Sequence, residues 1–195
     1  MKTVLAFFLL ASIGVTACNS GSNTSAADKK ESTDSNNSQT SATSINSQGN
    51  SEINNLVSAY LQLKNALAND NSKDAASAAD VISQTLKTAD VNRLSTEEKK
   101  MYQEVADDMK EHAEHIAANP DKIAHQREHF ETMSKDLYDL VKVAKQDRTL
   151  FKDFCPMYNN EKGGMWISET KDIKNPYMGK KMTECGEMQE EIRSK

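Results

Sequence analysis

From Ser51 onward, apolar residues recur every three or four positions. Ile53, Leu56, Val57, Tyr60, Leu63 and Leu67 form one stripe, which predicts a helix over 51–69. Turn formers at 70–73 break it. Ala75, Ala78, Ala79, Ile82 and Leu86 resume the period and predict a second helix over 74–89, whose small alanines let a neighbour come close. Ser95-Thr96-Glu97-Glu98 has the form of a capping box opening a third helix, the Ser95 hydroxyl accepting the Glu98 amide hydrogen. The stripe of that helix is Met101, Val105, Met109, His112 and Ile116, and it ends near Asn119. Pro120 is then expected at the first position of a fourth helix, where a missing N–H costs nothing. That helix carries Ile123, Phe130, Met133, Leu137, Leu140 and Val141. Short connections force antiparallel neighbours, so the expected class is mainly α, an antiparallel up-down bundle of about four helices.

Beyond about Asp147 the helical period fades into an irregular, turn-rich C-terminal segment. Gly163-Gly164, Asn175-Pro176 and Cys185-Gly186 are turn signals. Met165–Ser168 is expected as a short strand, making a β-hairpin with the run Phe154–Tyr158 across the glycine turn. Pro156 would confine that run to a sheet edge. The whole segment is expected to wrap back onto the bundle.

The N-terminal residues read differently. Lys2 supplies a positive start, Val4 to Val15 is apolar or small, and Val15-Thr16-Ala17-Cys18 follows. This order looks like a lipoprotein signal peptide over 1–17, too short to span a membrane, cut before a lipidated Cys18. Asn19, rather than Asp, follows the cysteine, which points to the periplasmic face of the outer membrane. Residues 18–50 are Ser, Thr, Asn, Gly and Ala with scattered charge, and read as a flexible tether. One folded domain remains, over 51–195. The net charge is −5 and no basic stripe runs along any helix, so nucleic acid is not an expected partner.

The four histidines fall in two helical pairs, His112 and His115, then His125 and His129, about the Asn119-Pro120 turn. Spacings of three and four place each pair on one helix side, and an antiparallel hairpin brings the pairs together. His112 points into the apolar stripe and His129 flanks its own, while His115 and His125 lie nearer solvent. The alternative for each is a plain structural or surface histidine. His125-Gln126-Arg127-Glu128-His129 also fits the H-x-x-E-H pattern of inverted zinc peptidases, but a third, distal ligand cannot be picked out and the domain is small for a peptidase cleft. No G-x-S-x-G, P-loop or dinucleotide fingerprint appears, and a non-catalytic protein is expected.

A second set is sulfur. Cys155-Pro156-Met157 and Met182 with Cys185 can supply two sulfurs each to a Cu(I) cage, with Trp166 able to cover the ion through a cation–π contact. The same cysteines equally suit a Cys155–Cys185 disulfide in an oxidising periplasm. Cu(I) is the expected cofactor and zinc the less favoured one.

His112-Ala113-Glu114-His115-Ile116, His125 to Phe130, Ser134 to Tyr138, Cys155-Pro156-Met157, Trp166-Ile167-Ser168, Ile173 to Tyr177, and Met182 with Cys185-Gly186 together resemble a family of bacterial periplasmic domains catalogued as domain of unknown function 3347. The resemblance runs from about Ile53 to Glu187. Related domains are appended to membrane-fusion adaptors of copper and silver efflux systems. The resemblance implies a periplasmic helical domain associated with copper or related metals, with heavy-metal efflux components as partners. The family commonly has Phe where Met178 stands. The expected function is therefore a lipid-anchored periplasmic metal-binding protein for metal tolerance or delivery. The alternative is a metal-free structural or protein-interaction lipoprotein stapled by Cys155 and Cys185.

Overall fold

A computed structural model describes residues 49–193. The signal segment, Cys18 and most of the tether lie outside the described residues. Four long helices come first: α1 (Gly49–Ala68), α2 (Ser72–Thr88), α3 (Thr96–Ala117) and α4 (Ile123–Val143). Single 3-10 turns at Val91–Arg93 and Gly179–Lys181 sit in the connections. Three strands follow, β1 (Leu150–Cys155), β2 (Gly164–Ser168) and β3 (Glu187–Ile192), in one antiparallel sheet of order β2-β1-β3. The mainly helical class and the four-helix bundle are as the periodicity requires. Among the described residues no helix is long and apolar enough to cross a membrane.

The predicted stripes form the core. Ile53, Leu56, Tyr60, Leu63 and Leu67 of α1, Ile82 of α2, Met109 and Ile116 of α3, and Phe130, Met133 and Leu137 of α4 are all fully buried. The capping box is present: the Glu98 N–H donates to the Ser95 hydroxyl, and the Glu98 carboxylate takes the Ser95 N–H at 2.9 Å. The same carboxylate also accepts the Lys145 N–H beyond the end of α4, so one side chain ties the start of α3 to the exit of α4.

Three local expectations need correction. Pro120 is not the first residue of α4; it lies in the turn, and α4 begins at Ile123 after Lys122. Helix α2 begins at Ser72, two residues early, because Asn71 caps it through its side chain. The hairpin exists, with Phe154 opposite Met165 and Cys155 opposite Gly164, but its first strand is Leu150–Cys155 rather than Phe154–Tyr158, with Tyr158 opening a short helical turn instead, and β1 is the central strand rather than an edge. Pro156 falls just past its end, where no ladder N–H is needed. The other neighbour of β1 is β3, whose sequence Glu-Met-Gln-Glu-Glu-Ile has no apolar alternation.

One polar hub orders the C-terminal segment internally and a second docks it on the bundle. Asn175 is fully buried. Its side chain accepts the N–H groups of Tyr177 and Met178 and donates to the Cys185 carbonyl at 2.6 Å. Arg127 of α4 donates to the Pro176 carbonyl at 2.7 Å, to the Leu67 carbonyl at 2.9 Å and to Asp70 at 2.6 Å. Asp70 also accepts the Lys180 N–H. Gly179 sits between them with φ +57°, and any Cβ there would collide with Asp70 and Arg127, so this corner requires glycine.

Candidate metal centre

Helices α3 and α4 are joined by a tight turn, and Gln126 fixes its geometry. That side chain is fully buried, and its Nε2 lies within donor reach of the carbonyls of Ser72, Ile116 and Asn119. The hairpin so held brings all four histidines together, as their spacing about the turn predicts. His129 is at the centre. Its Nδ1 lies 2.8 Å from Nδ1 of His112, and its Nε2 lies 3.1 Å from Nε2 of His125. The His125 ring stands at 88° to it, whereas the His115 ring stacks on it at 11°, with centroids 4.6 Å apart. One nitrogen from each of His115, His125 and His129 can be chosen so that all three lie within 4.8 Å of one another.

The His125–His129 pair is the preformed part. Two nitrogens on one tetrahedral ion at bonds near 2.0 Å are about 3.3 Å apart, close to the separation here. The nitrogen separation, rather than the angle of the ring planes, is what matches a shared ion. His115 is parallel to His129, so its lone pairs lie in another plane, and it joins the pair by rotating its ring. Its side chain is 49 % exposed, so little packing opposes that rotation.

Carboxylates stand beside three of the imidazoles. Glu128 lies 3.4 Å from Nδ1 of His125, Glu111 3.9 Å from Nε2 of His115 and Asp108 3.6 Å from Nε2 of His112. Such outer partners orient metal-binding imidazoles. Glu128 thus faces His125 rather than standing free as the base of an H-x-x-E-H peptidase. Desolvation, then the neighbouring His125, His112 and His115, hold His129 below the usual histidine range, which keeps it in the neutral form that binds metals. Against Asp108 stands Asp136 of α4, pushed up to about 7 by burial and by the Asp108 carboxylate.

The sulfur set is only partly assembled. Cys155 and Cys185 are both free thiols with Sγ atoms 3.0 Å apart, Cys155 fully buried and Cys185 half-buried. Met182 shares an open cleft with Cys185, but Met157 is 52 % exposed. Contact with Cys155, and then desolvation, push the Cys185 thiol up, away from the thiolate a soft ion needs. Two thiolates on one tetrahedral ion at about 2.3 Å would lie about 3.8 Å apart, so this pair is closer than shared ligation requires. Trp166 is fully buried against Tyr177, with its indole edge under Gly186.

The two sets are separate. Arg127 and Glu131 of α4 face the C-terminal segment, through Pro176 and Asn159, and Asn175 in that segment holds Cys185. His129 is two residues from Arg127, about 200° around the helix. Histidines and sulfurs therefore belong to different sides of α4, and no cysteine enters the histidine group among the described residues. The spacing of the histidines carries the signal for their cluster. The contributions of Asp108, Asp136 and Gln126 have no sequence signal beyond ordinary helix-surface polarity.

No curated protein and no solved structure matches the chain. Residues 56–149, which hold every histidine and end just before β1, match the family described as Protein of unknown function (DUF3347), the family that the histidine motifs resemble; the motifs from Cys155 to Gly186 lie outside the matched residues.

Proposed function

We propose that this domain binds a borderline divalent metal ion, Cu(II) or Zn(II), through His125 and His129 with His115 as third ligand. The observation that carries the reading is the 3.1 Å approach of the His125 and His129 Nε2 atoms in perpendicular rings, with a third imidazole in reach. An all-nitrogen set suits these ions better than Cu(I), which favours sulfur. The resemblance to periplasmic domains of metal-efflux systems points the same way and gives the role as metal tolerance or delivery. A lipid on Cys18 would anchor the domain at the periplasmic face of the membrane, within reach of efflux components. The test titrates the reduced protein with Zn(II) and Cu(II) against a chromophoric chelator. His125→Ala/His129→Ala is expected to lose at least about 100-fold in affinity, since loss of an outer partner alone costs about 10- to 100-fold, while Cys155→Ser/Cys185→Ser keeps parent affinity. Parent-like affinity in the histidine variant would overturn the reading. For the anchor, Cys18→Ser is expected to move the protein from the membrane to the soluble fraction, and continued membrane association would refute it.

A second reading is favoured by the 3.0 Å approach of the thiols: a metal-free interaction lipoprotein stapled by a Cys155–Cys185 disulfide. It predicts no chelator competition by any form of the protein.

A further inference from the structure

Four imidazoles in one cluster suggest four ligands, but the geometry divides them three and one. An imidazole nitrogen binds through one in-plane lone pair, so a single ion takes only one nitrogen of His129. The Nε2 side offers His125 at 3.1 Å, and His115 is grouped with that pair. Among the described residues the Nδ1 side meets His112, at 2.8 Å, and His112 stands outside the three-histidine group that can close on one ion. We propose that His112 is not a ligand but a positioning residue, which with Asp108 fixes His129 in the tautomer that presents its Nε2 lone pair to the ion. The inference rests on the metal reading of the same cluster.

The proton positions decide the matter. If Nε2 of His129 is to carry a free lone pair, its proton must be on Nδ1. That proton points at Nδ1 of His112, which must then accept it. His112, being neutral, must in turn carry its own proton on Nε2. That atom faces the Asp108 carboxylate at 3.6 Å, an electrostatic contact rather than a full hydrogen bond, yet one that favours a proton there. The opposite assignment puts the His112 proton on Nδ1 and sends the His129 proton to Nε2, into the metal position. It also leaves a lone pair of His112 facing a carboxylate. Charge therefore selects the first assignment. Asp136 reaches Asp108 from α4, so the start of this relay is held from both helices. In the metal-free chain the Nε2–Nε2 contact of His125 and His129 is itself a hydrogen bond, in which His125 donates its Nε2–H to the Nε2 lone pair of His129; an ion takes the place of that proton, which His125 then carries on Nδ1, toward Glu128. Outer partners of this type carry 10- to 100-fold of metal affinity.

The test has two readouts, one of which needs no metal. Long-range proton–nitrogen correlation on the metal-free full chain reports which nitrogen of His129 is protonated. The Nδ1–H form is expected in the parent and in His112→Gln, whose side-chain carbonyl can accept the same proton. In His112→Ala the two forms should mix. Zn(II) titration should give one ion per chain in parent and variants. His112→Ala is expected to bind about 10- to 100-fold more weakly, Asp108→Asn to weaken in the same direction by less, and His112→Gln to stay within a few-fold of the parent. An Nε2–H tautomer of His129 in the parent would overturn the proposal. So would two zinc ions per parent chain, or an unchanged affinity in His112→Ala. If His112→Ala does not fold, Asp108→Asn and His112→Gln carry the same comparison. Loss of the metal reading itself would appear separately, as parent-like zinc affinity in His125→Ala/His129→Ala, and leaves the tautomer readout standing on its own.

Discussion

Asp153 is fully buried in the middle strand, and neither carboxylate oxygen has a hydrogen-bond partner. Trp166, its cross-strand partner, turns toward it an indole N–H that favours the ionised form without reaching full hydrogen-bond geometry. Lys64 lies nearby, but its ammonium is taken by Glu169 at 2.7 Å. Desolvation dominates, opposed by Lys64, and pushes the Asp153 carboxyl from 3.8 up to about 7. Between those values the folded chain holds a proton that the unfolded chain has released, so stability falls as pH rises through that window and is then flat. An asparagine side chain has the same shape and no charge to bury. Asp153→Asn is therefore expected to match the parent near pH 4 and exceed it at pH 8. The gain is on the order of 2 kcal/mol, below the ceiling of about 4 that three pKa units would give. Thermal melts of both proteins between those pH values check this, and parallel curves would refute it. Nothing in the sequence marks Asp153 as special, since a polar residue in a strand reads as outward-facing; it is enclosed because its side chain shares a face with Trp166 and lies near Lys64 of α1.

At the scale of elements, the hairpin of α3 and α4 brings the histidines together, and Gln126 ties down its turn. Replacing Gln126 with Leu would take two amide hydrogens from the carbonyls of Ser72 and Asn119, the Ile116 carbonyl at 3.4 Å being the weakest contact, and would also remove a buried Oε1 that has no partner. A cost on the order of 2 kcal/mol is expected, measurable by urea denaturation, together with weaker zinc binding as the two helices lose their fixed end. Ser95→Ala at the start of α3 should cost about 1 kcal/mol and leave zinc affinity unchanged, because the cap is at the far end of the helix from His112 and His115. Wherever apolar stripes exist, the elements are legible: Met101 to Ile116 and Ile123 to Val141 give their helices directly. Pro120 is misplaced by the sequence pattern because a helix start and a turn both tolerate proline, and the apolar period does not choose between them. The strand Glu187–Ile192 escapes the pattern because only Ile192 is buried in it. Its pairing comes from the free edge of β1, and a single sequence does not display its partner's needs.

At the scale of the whole molecule, the histidine cluster is legible because the turn is short and the spacings are near-symmetric about it. The separation of sulfur from histidine is not, since it depends on the C-terminal segment docking on the Arg127 side of α4, through contacts between residues about 50 positions apart. That separation makes a definite prediction. Oxidation of Cys155 and Cys185 by oxidised glutathione should remove two hydrogens and close a bond spanning 30 residues. Loop closure of that length stabilises by about 3 to 4 kcal/mol, or roughly 10 °C in melting temperature for a domain of this size. The bond would clasp the end of β1 to the segment that Asn175 already holds, so little backbone has to move. Because the histidines are on the other side of α4, and their geometry is set by Gln126 and the helix turn, the clasp should not reach them. The experiment compares reduced and oxidised protein by mass, thermal melt and zinc titration. A higher melting temperature with unchanged zinc affinity is expected. A change of more than about threefold in that affinity, roughly 0.7 kcal/mol, would mean that the two sets are coupled through α4 after all, and that the sulfur segment belongs to the metal centre.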